Sequence, residues 1–281
     1  MKFRSALQAW WRLARGEHAL MTFFAVMFAS YLVAKELDSF YFAALGPALI
    51  TAGSFVLNDW FDYAGDKANR RRDRPLVGGE IKRNSALAAS IILFAAGVAL
   101  TLFVNAACFA TAAVYSFFAI IYSPFLKKIP LAGNAFIASS MGVAFLYGNL
   151  AAAKPLQPLV LLWIAIAFVI GLAREFLITL RDVKGDRKTG ALTLPMIIGP
   201  KATAIVSAFL AITAIGLSVL PLTVSINVPY LVIVAVADAM VLLAAFKTLS
   251  GQGQQVLRQA RELTLRGLIA GLVAFAALAV A

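Results

Sequence analysis

The sequence has one cysteine, Cys108, one histidine, His18, and only 14% charged residues. A single cysteine excludes a disulfide framework and a thiolate metal cluster. Cys108 stands in an apolar run, where an inert packed thiol is expected. A single histidine excludes a histidine-rich metal centre. The shortage of charge is the most informative absence. Globular proteins carry about 25% charged and roughly 45–50% apolar residues, whereas this chain is 62% hydrophobic with a mean hydropathy of +0.88. Residues 84–126 and 202–237 contain no Asp, Glu, Lys or Arg. Each run is long enough for two membrane crossings of about 20 residues. The 281 residues, which length alone would divide into two soluble domains, therefore read as one polytopic all-α membrane domain, 1–281.

Nine spans are expected, at 18–34, 40–58, 85–103, 107–123, 131–151, 158–180, 201–220, 228–246 and 264–281. The loops between them alternate in charge. Of the 25 Lys and Arg, all but Lys35, Lys154 and Arg174 fall before the first span, in loops on one side of the membrane, or, as Lys201 and Arg266 do, within three residues of the span end on that side. By the positive-inside rule that side is cytoplasmic, the N-terminus with it, and an odd number of spans puts the C-terminus outside. A net charge of +12 distributed this way indicates a membrane surface and anionic substrates rather than nucleic acid. Residues 1–16 set Trp10 and Trp11 among Lys2, Arg4, Arg12 and Arg15, the pattern of a helix lying in the headgroup layer. A cleavable signal peptide competes for the same segment, but no clean A-x-A site follows the apolar stretch, and a retained first span is expected.

Acidic residues are scarce, 13 in all, and two tight groups stand out. Asn58, Asp59, Asp62 and Asp66 follow the second span; Asp182 and Asp186 follow the sixth. Positions 58, 62 and 66 recur every four residues, as do 182 and 186, so each set projects from one face of a helix leaving the membrane. Carboxylates stacked in this way repel and call for a positive partner. All-oxygen donors suit a hard divalent cation such as Mg²⁺, which takes one or two carboxylates plus substrate phosphates. The competing reading, solvated acids that merely balance basic loops, explains a lone Asp better than two four-spaced groups. Lys67, Arg72, Arg74, Lys127, Lys128, Arg181, Lys184 and Arg187 interleave with the acids. Metal-bound carboxylates ringed by Lys and Arg are suited to holding a diphosphate leaving group; a positive-inside belt accounts for part of the same set. The four-span offset between the groups suggests a pseudo-repeat of spans one to four in five to eight.

NDxxDxxxD from Asn58, DxxGD from Asp182, the pair Arg74-Pro75, Tyr122 followed by Lys127-Lys128, and Gly133-Asn134 together resemble the UbiA-type intramembrane prenyltransferases along nearly the whole chain. The resemblance implies nine helices around a central cavity capped on the cytoplasmic side, and Mg²⁺, two ions, binding an isoprenyl diphosphate whose tail lies in the bundle. Carried over by position, Asn58, Asp62, Asp66, Asp182 and Asp186 are the metal residues, with Asp62, Asp66, Asp182 and Asp186 serving the chemistry. Lys67, Arg74, Tyr122, Lys127, Lys128 and Asn134 are substrate contacts. Residues 174–195 and 122–134 are most similar to the ether-lipid branch of the family. That branch implies geranylgeranyl diphosphate as donor, geranylgeranylglyceryl phosphate as lipophilic acceptor, and a cell-membrane location. A second anionic substrate is expected to use Arg174 and Lys128, unless Arg174 simply pairs with Glu175. Two features depart from the family pattern: residues 70–73 lengthen the linker before Arg74-Pro75 by one, and His18 stands where Asn is expected.

Three alternatives stay open. A quinone-precursor prenyltransferase differs only in its acceptor. A transporter of an anionic lipid or metabolite would place acids near mid-membrane, where Asp238 is read as the one candidate and as a hydrogen-bonded structural residue. A phosphatidyl-type phosphotransferase would gather its aspartates in one dense motif.

Overall fold

In a computed structural model, residues 2–36, 40–68, 70–188, 190, 192–223 and 226–280 are described, and of these the side chains of 2–5, 184, 186 and 188 are not. Every regular element among the described residues is helical. They are α1 Lys2–Ala14, α2 Gly16–Ala34, α3 Phe40–Ala68, α4 Arg83–Leu102, α5 Ala106–Tyr122, α6 Ala132–Ala151, α7 Pro158–Lys188, α8 Leu194–Ile198, α9 Pro200–Val219, α10 Val228–Ser250 and α11 Gln254–Val280, with 3₁₀ turns at Leu126–Lys128 and Leu220–Thr223. Seven stretches are long and apolar enough to cross a membrane: α2, α3, α4, Pro158–Val183 in α7, Pro200–Thr223 through α9, α10 and α11. α5 is apolar but has 17 residues, about 25 Å of helix against a hydrocarbon core of about 30 Å. α6 is diluted by Asn134, Ser139, Ser140 and Asn149.

Apolar runs become helices because a backbone away from water must satisfy its own hydrogen bonds. Local signals set the ends. Asn105 Oδ1 accepts from Cys108 N at 2.9 Å and Asn227 Oδ1 from Tyr230 N at 2.8 Å, capping α5 and α10. Pro residues occupy the first turns of α8, α9 and α10, where a missing N–H costs nothing.

Neighbours in sequence pack as neighbours in space, and α11 returns against α2 and α7 to close the bundle. Small residues allow the closest approach. A Cβ on Gly46 would lie 2.9 Å from the Gly97 carbonyl oxygen, and one on Gly97 2.8 Å from that of Gly46, so α3 and α4 touch backbone to backbone there. At the end away from the aspartates, Phe145, Trp163, Tyr230 and Phe275 form an aromatic floor, with Trp163 and Phe275 centroids 4.8 Å apart and Phe145 and Phe275 edge to face at 4.9 Å. Cys108 is fully buried and unbonded to sulfur, as a packing thiol should be.

Two helices are longer than a membrane requires. α3 has 29 residues and α7 has 31, about 44 and 46 Å of helix. The excess carries Asp59, Asp62 and Asp66 on one and Asp182 on the other beyond the apolar stretch. α1 folds across this end. Ala9 and Leu13 are buried with Val56, Leu76, Ile81 and Ala86, and Arg12 pairs with Glu80. The α1–α2 junction is made by Arg15 at φ 47°, ψ 61°, a left-handed conformation unusual for a residue with a Cβ.

Candidate active site

The bundle encloses a cavity of about 1690 Å³ that both aspartate motifs line. It runs from Asn58, Asp62, Asp66 and Asp182 at the mouth to Trp163, Phe145 and Tyr147 at the floor. From Trp163 to Asp182 along α7 is about 28 Å, close to the hydrocarbon thickness. Tyr122, Lys127, Lys128, Asn134, Arg74 and Arg174 line it as well. Lys67 does not: it is exposed, with its Nζ 5.8 Å from the centroid of the Tyr63 ring, because one step past Asp66 turns it to another face of α3. Asp186 lies in α7, but its side chain falls outside the described residues.

At the mouth each described carboxylate faces a cation. Lys127 Nζ donates to both oxygens of Asp62, at 2.7 and 2.8 Å. Arg181 donates from Nε and Nη2 to the two oxygens of Asp182, at 2.7 and 2.6 Å. Asp66 is 3.4 Å from Arg74 Nε and 3.5 Å from Arg71 Nη1. Asn58 Oδ1 accepts from Ser123 Oγ at 2.7 Å. Lys127 and Ser123 come from the chain that follows α5, so Tyr122, its Lys-Lys pair and α3 meet at one rim.

The network contains a member to which sequence reading assigned no role. Asp59, 3% exposed, accepts from Arg74 Nη1 on both oxygens, at 2.8 and 3.0 Å, and from Arg15 Nη2 at 3.5 Å. Arg15 also lies over the Phe55 ring, 4.5 Å from its centroid. Burial holds the Arg15 guanidinium below its ordinary pKa, and the Asp59 carboxylate works against that. The signal for Asp59 was its place beside Asn58. Nothing linear indicated Arg15, which α1 brings to the site by folding over it.

Deeper in the cavity the expectations need correction. Asp238 accepts from Ser218 Oγ at 2.7 Å, as a structural polar residue should, and it lines the cavity too. It is not the one acid within a span: Glu175 is 8% exposed in α7, and Asn134 hydrogen-bonds its carboxylate. Arg174 is 4% exposed and its Nε has no hydrogen-bond partner. Its acid neighbour is Glu175 and its cation neighbours are Arg15 and Arg181, while Lys128, which also lines the cavity, lies in the 3₁₀ turn after α5.

The donor set fits a hard divalent cation. It is all oxygen, from Asn58, Asp62 and Asp66 on α3 and Asp182 on α7, and the carboxylates sit against ammonium and guanidinium groups that show their demand for positive charge. No three His, Cys, Asp or Glu among the described residues converge into a closed cage. That arrangement matches an ion completed by substrate phosphate oxygens.

Comparison with known proteins agrees with this geometry. Residues 19–279 match the family described as the UbiA prenyltransferase family. A curated relative from Archaeoglobus fulgidus, digeranylgeranylglyceryl phosphate synthase, is 31% identical over 96% of this chain and 94% of its own. A solved structure described as giving insight into digeranylgeranylglyceryl phosphate synthase in membranes superposes with a TM-score of 0.74 at 26% identity, covering 98% of this chain and 99% of the other. A UbiA homologue from Archaeoglobus fulgidus, bound to GPP and Mg²⁺, shares the fold with a TM-score of 0.63 at 17% identity, over 95% and 99% of the two chains.

Proposed function

We propose, for a chain that belongs to the UbiA prenyltransferase family, that it transfers a geranylgeranyl group from its diphosphate to the free hydroxyl of geranylgeranylglyceryl phosphate, an ether-lipid step. The observation that carries this is a single cavity whose mouth is built of carboxylates and cations and whose depth is apolar and aromatic. A diphosphate needs the first and an isoprenyl chain the second. The synthase named among the relatives supports the glyceryl phosphate acceptor.

Asn58, Asp62, Asp66, Asp182 and Asp186 would hold Mg²⁺, two ions, against the diphosphate. The metal, when bound, neutralises charge on the leaving diphosphate. Lys127, Lys128 and Arg74 surround the same leaving group, and preorganised cations facing developing negative charge are worth far more in a site of low dielectric than in water. The C1–O bond of the donor breaks with its electron pair on the diphosphate. The acceptor hydroxyl oxygen bonds to C1 and passes its proton to the departing diphosphate. Phe136 and Tyr122, on the mouth side of the cavity, keep water from the allylic cation formed on the way, and Trp163 and Phe145 at the floor bound the far end of the isoprenyl chain.

The same reading takes α5 and α6 as short spans, making nine, the first eight of them in two four-helix pseudo-repeats, with the aspartate mouth cytoplasmic, α1 at the headgroup layer and the protein in the cell membrane. The basic loops flanking both aspartate motifs support that orientation. The test is turnover of labelled geranylgeranyl diphosphate by purified protein, offered geranylgeranylglyceryl phosphate or 4-hydroxybenzoate. Ether product from the first is expected; product from the second alone would move the enzyme to the quinone branch.

A further inference from the structure

Beside the diphosphate mouth the cavity has a second, differently built wall. Arg174 lies eight residues inward of Asp182 on α7, about 12 Å along the helix. Arg15, Arg174 and Arg261 are the three charges that bear on His18. Arg15, Arg174 and Arg181 bear in turn on Arg261. All of these residues line the cavity. Their counter-charges are few: Asp59 holds Arg74 and Arg15, Asp182 holds Arg181, and Glu175, bonded by Asn134, is the acid that bears on Arg174. Glu17 and Glu262, the other acids on this wall, are exposed to solvent. Arg174 is thus a buried guanidinium whose Nε bonds to nothing, an arrangement that is costly unless an anion completes it.

The geometry points to a second anion site, made by Arg174 and Arg261 with His18 beside them, that holds the phosphomonoester of the acceptor. Guanidinium forks match phosphate oxygens in pairs. Separate seats for the two anions leave the metal to the diphosphate and the arginines to the acceptor. His18, unlike an Asn, brings a flat ring, seated edge-on to Phe55 with centroids 5.1 Å apart, and so bounds the seat on the α2 side. The inference rests on the acceptor proposed above.

The experiment compares geranylgeranylglyceryl phosphate with its dephosphorylated alcohol as acceptors for the wild type, Arg174→Gln and Arg261→Gln. Loss of a charge-assisted contact should lower the preference for the phosphorylated acceptor roughly tenfold to a hundredfold in kcat/KM, with the KM for geranylgeranyl diphosphate within about twofold. An unchanged preference with lower overall activity would overturn the site, as would an equal rise in both KM values. Should either variant fail to fold, sn-glycerol 1-phosphate tests the wild type directly. It should compete with the phosphorylated acceptor and spare turnover of the alcohol, and failure to discriminate overturns the site. No ether product from either acceptor with wild-type protein would instead refute the functional reading on which the site depends.

Discussion

Replacing Asp59 by Asn keeps the shape of the side chain and removes its charge. In the structure that carboxylate receives two bonds from Arg74 Nη1, at 2.8 and 3.0 Å, and a longer one from Arg15 at 3.5 Å. Hydrogen bonds to charged groups are worth about 1.5–3 kcal/mol and neutral ones about 0.5–1.5. An Asn oxygen can replace one bond in neutral form, so about 2–4 kcal/mol of the constraint on Arg74 disappears. The full cost of about 3–5 kcal/mol for orphaning a buried ion-pair partner is an upper bound, because the Arg74 side chain is 20% exposed. A cation displaced by about 1 Å from a reacting diphosphate costs on the order of a hundredfold in rate. Asp59→Asn should therefore lower kcat about tenfold to a hundredfold and leave the half-saturating Mg²⁺ concentration within about threefold of wild type. The assay is a Mg²⁺ titration of prenyl transfer, run beside Asp62→Asn. A Mg²⁺ requirement raised in Asp59→Asn as steeply as in Asp62→Asn would make Asp59 a ligand and refute the orienting role. Wild-type turnover would show that fixing Arg74 does not matter.

Asp62→Asn and Asp182→Asn should each abolish measurable turnover in protein that still purifies as a folded species, EDTA should silence the wild type, and Mg²⁺ should restore it; full activity of either variant at saturating Mg²⁺ contradicts the metal assignment. Gly46→Leu forces a side chain into the space where a Cβ already meets Thr101 Cγ2 at 2.8 Å, and should lower the thermal midpoint in detergent, whereas Gly216→Ala, with nothing within 4 Å of its Cβ, should not. Cysteines introduced at Asp73 and Gln252 should be labelled from one side of the membrane and one at Lys154 from the other, against a quiet background because Cys108 is fully buried; labelling of 73 and 252 from opposite sides breaks the shared mouth.

The parts of the site that could be read from the sequence are those that follow from periodicity along one helix. Four-residue spacing placed Asn58, Asp62 and Asp66 on a common face of α3, and the excess length of α3 and α7 follows from charge reappearing beyond apolar runs. Each apolar stretch named from the sequence coincides with a helix, but α3, α7 and α10 run on past the expected end by 10, 8 and 4 residues and α11 starts 10 residues early, because polar residues continue a helix once it has left the apolar layer. Pairings across helices could not be read. Arg15 reaches Asp59 across 44 positions because a left-handed residue turns α1 back over α3, and Lys127 reaches Asp62 across 65. Lys67 looked like its neighbours in composition, but a helix turns about 100° per residue, and one step moved it out of the cavity. Glu175 was legible as the acid beside Arg174 from adjacency; its bond to Asn134 depends on how α6 packs on α7.

The measurement that bears most directly on the account is a balance of products in proteoliposomes supplied with labelled geranylgeranyl diphosphate, geranylgeranylglyceryl phosphate and Mg²⁺. One inorganic diphosphate should be released for each ether-linked lipid formed, both stopping together when Mg²⁺ is chelated. Movement of either substrate across the bilayer without a new bond, or ether product forming at an undiminished rate in EDTA, would contradict it.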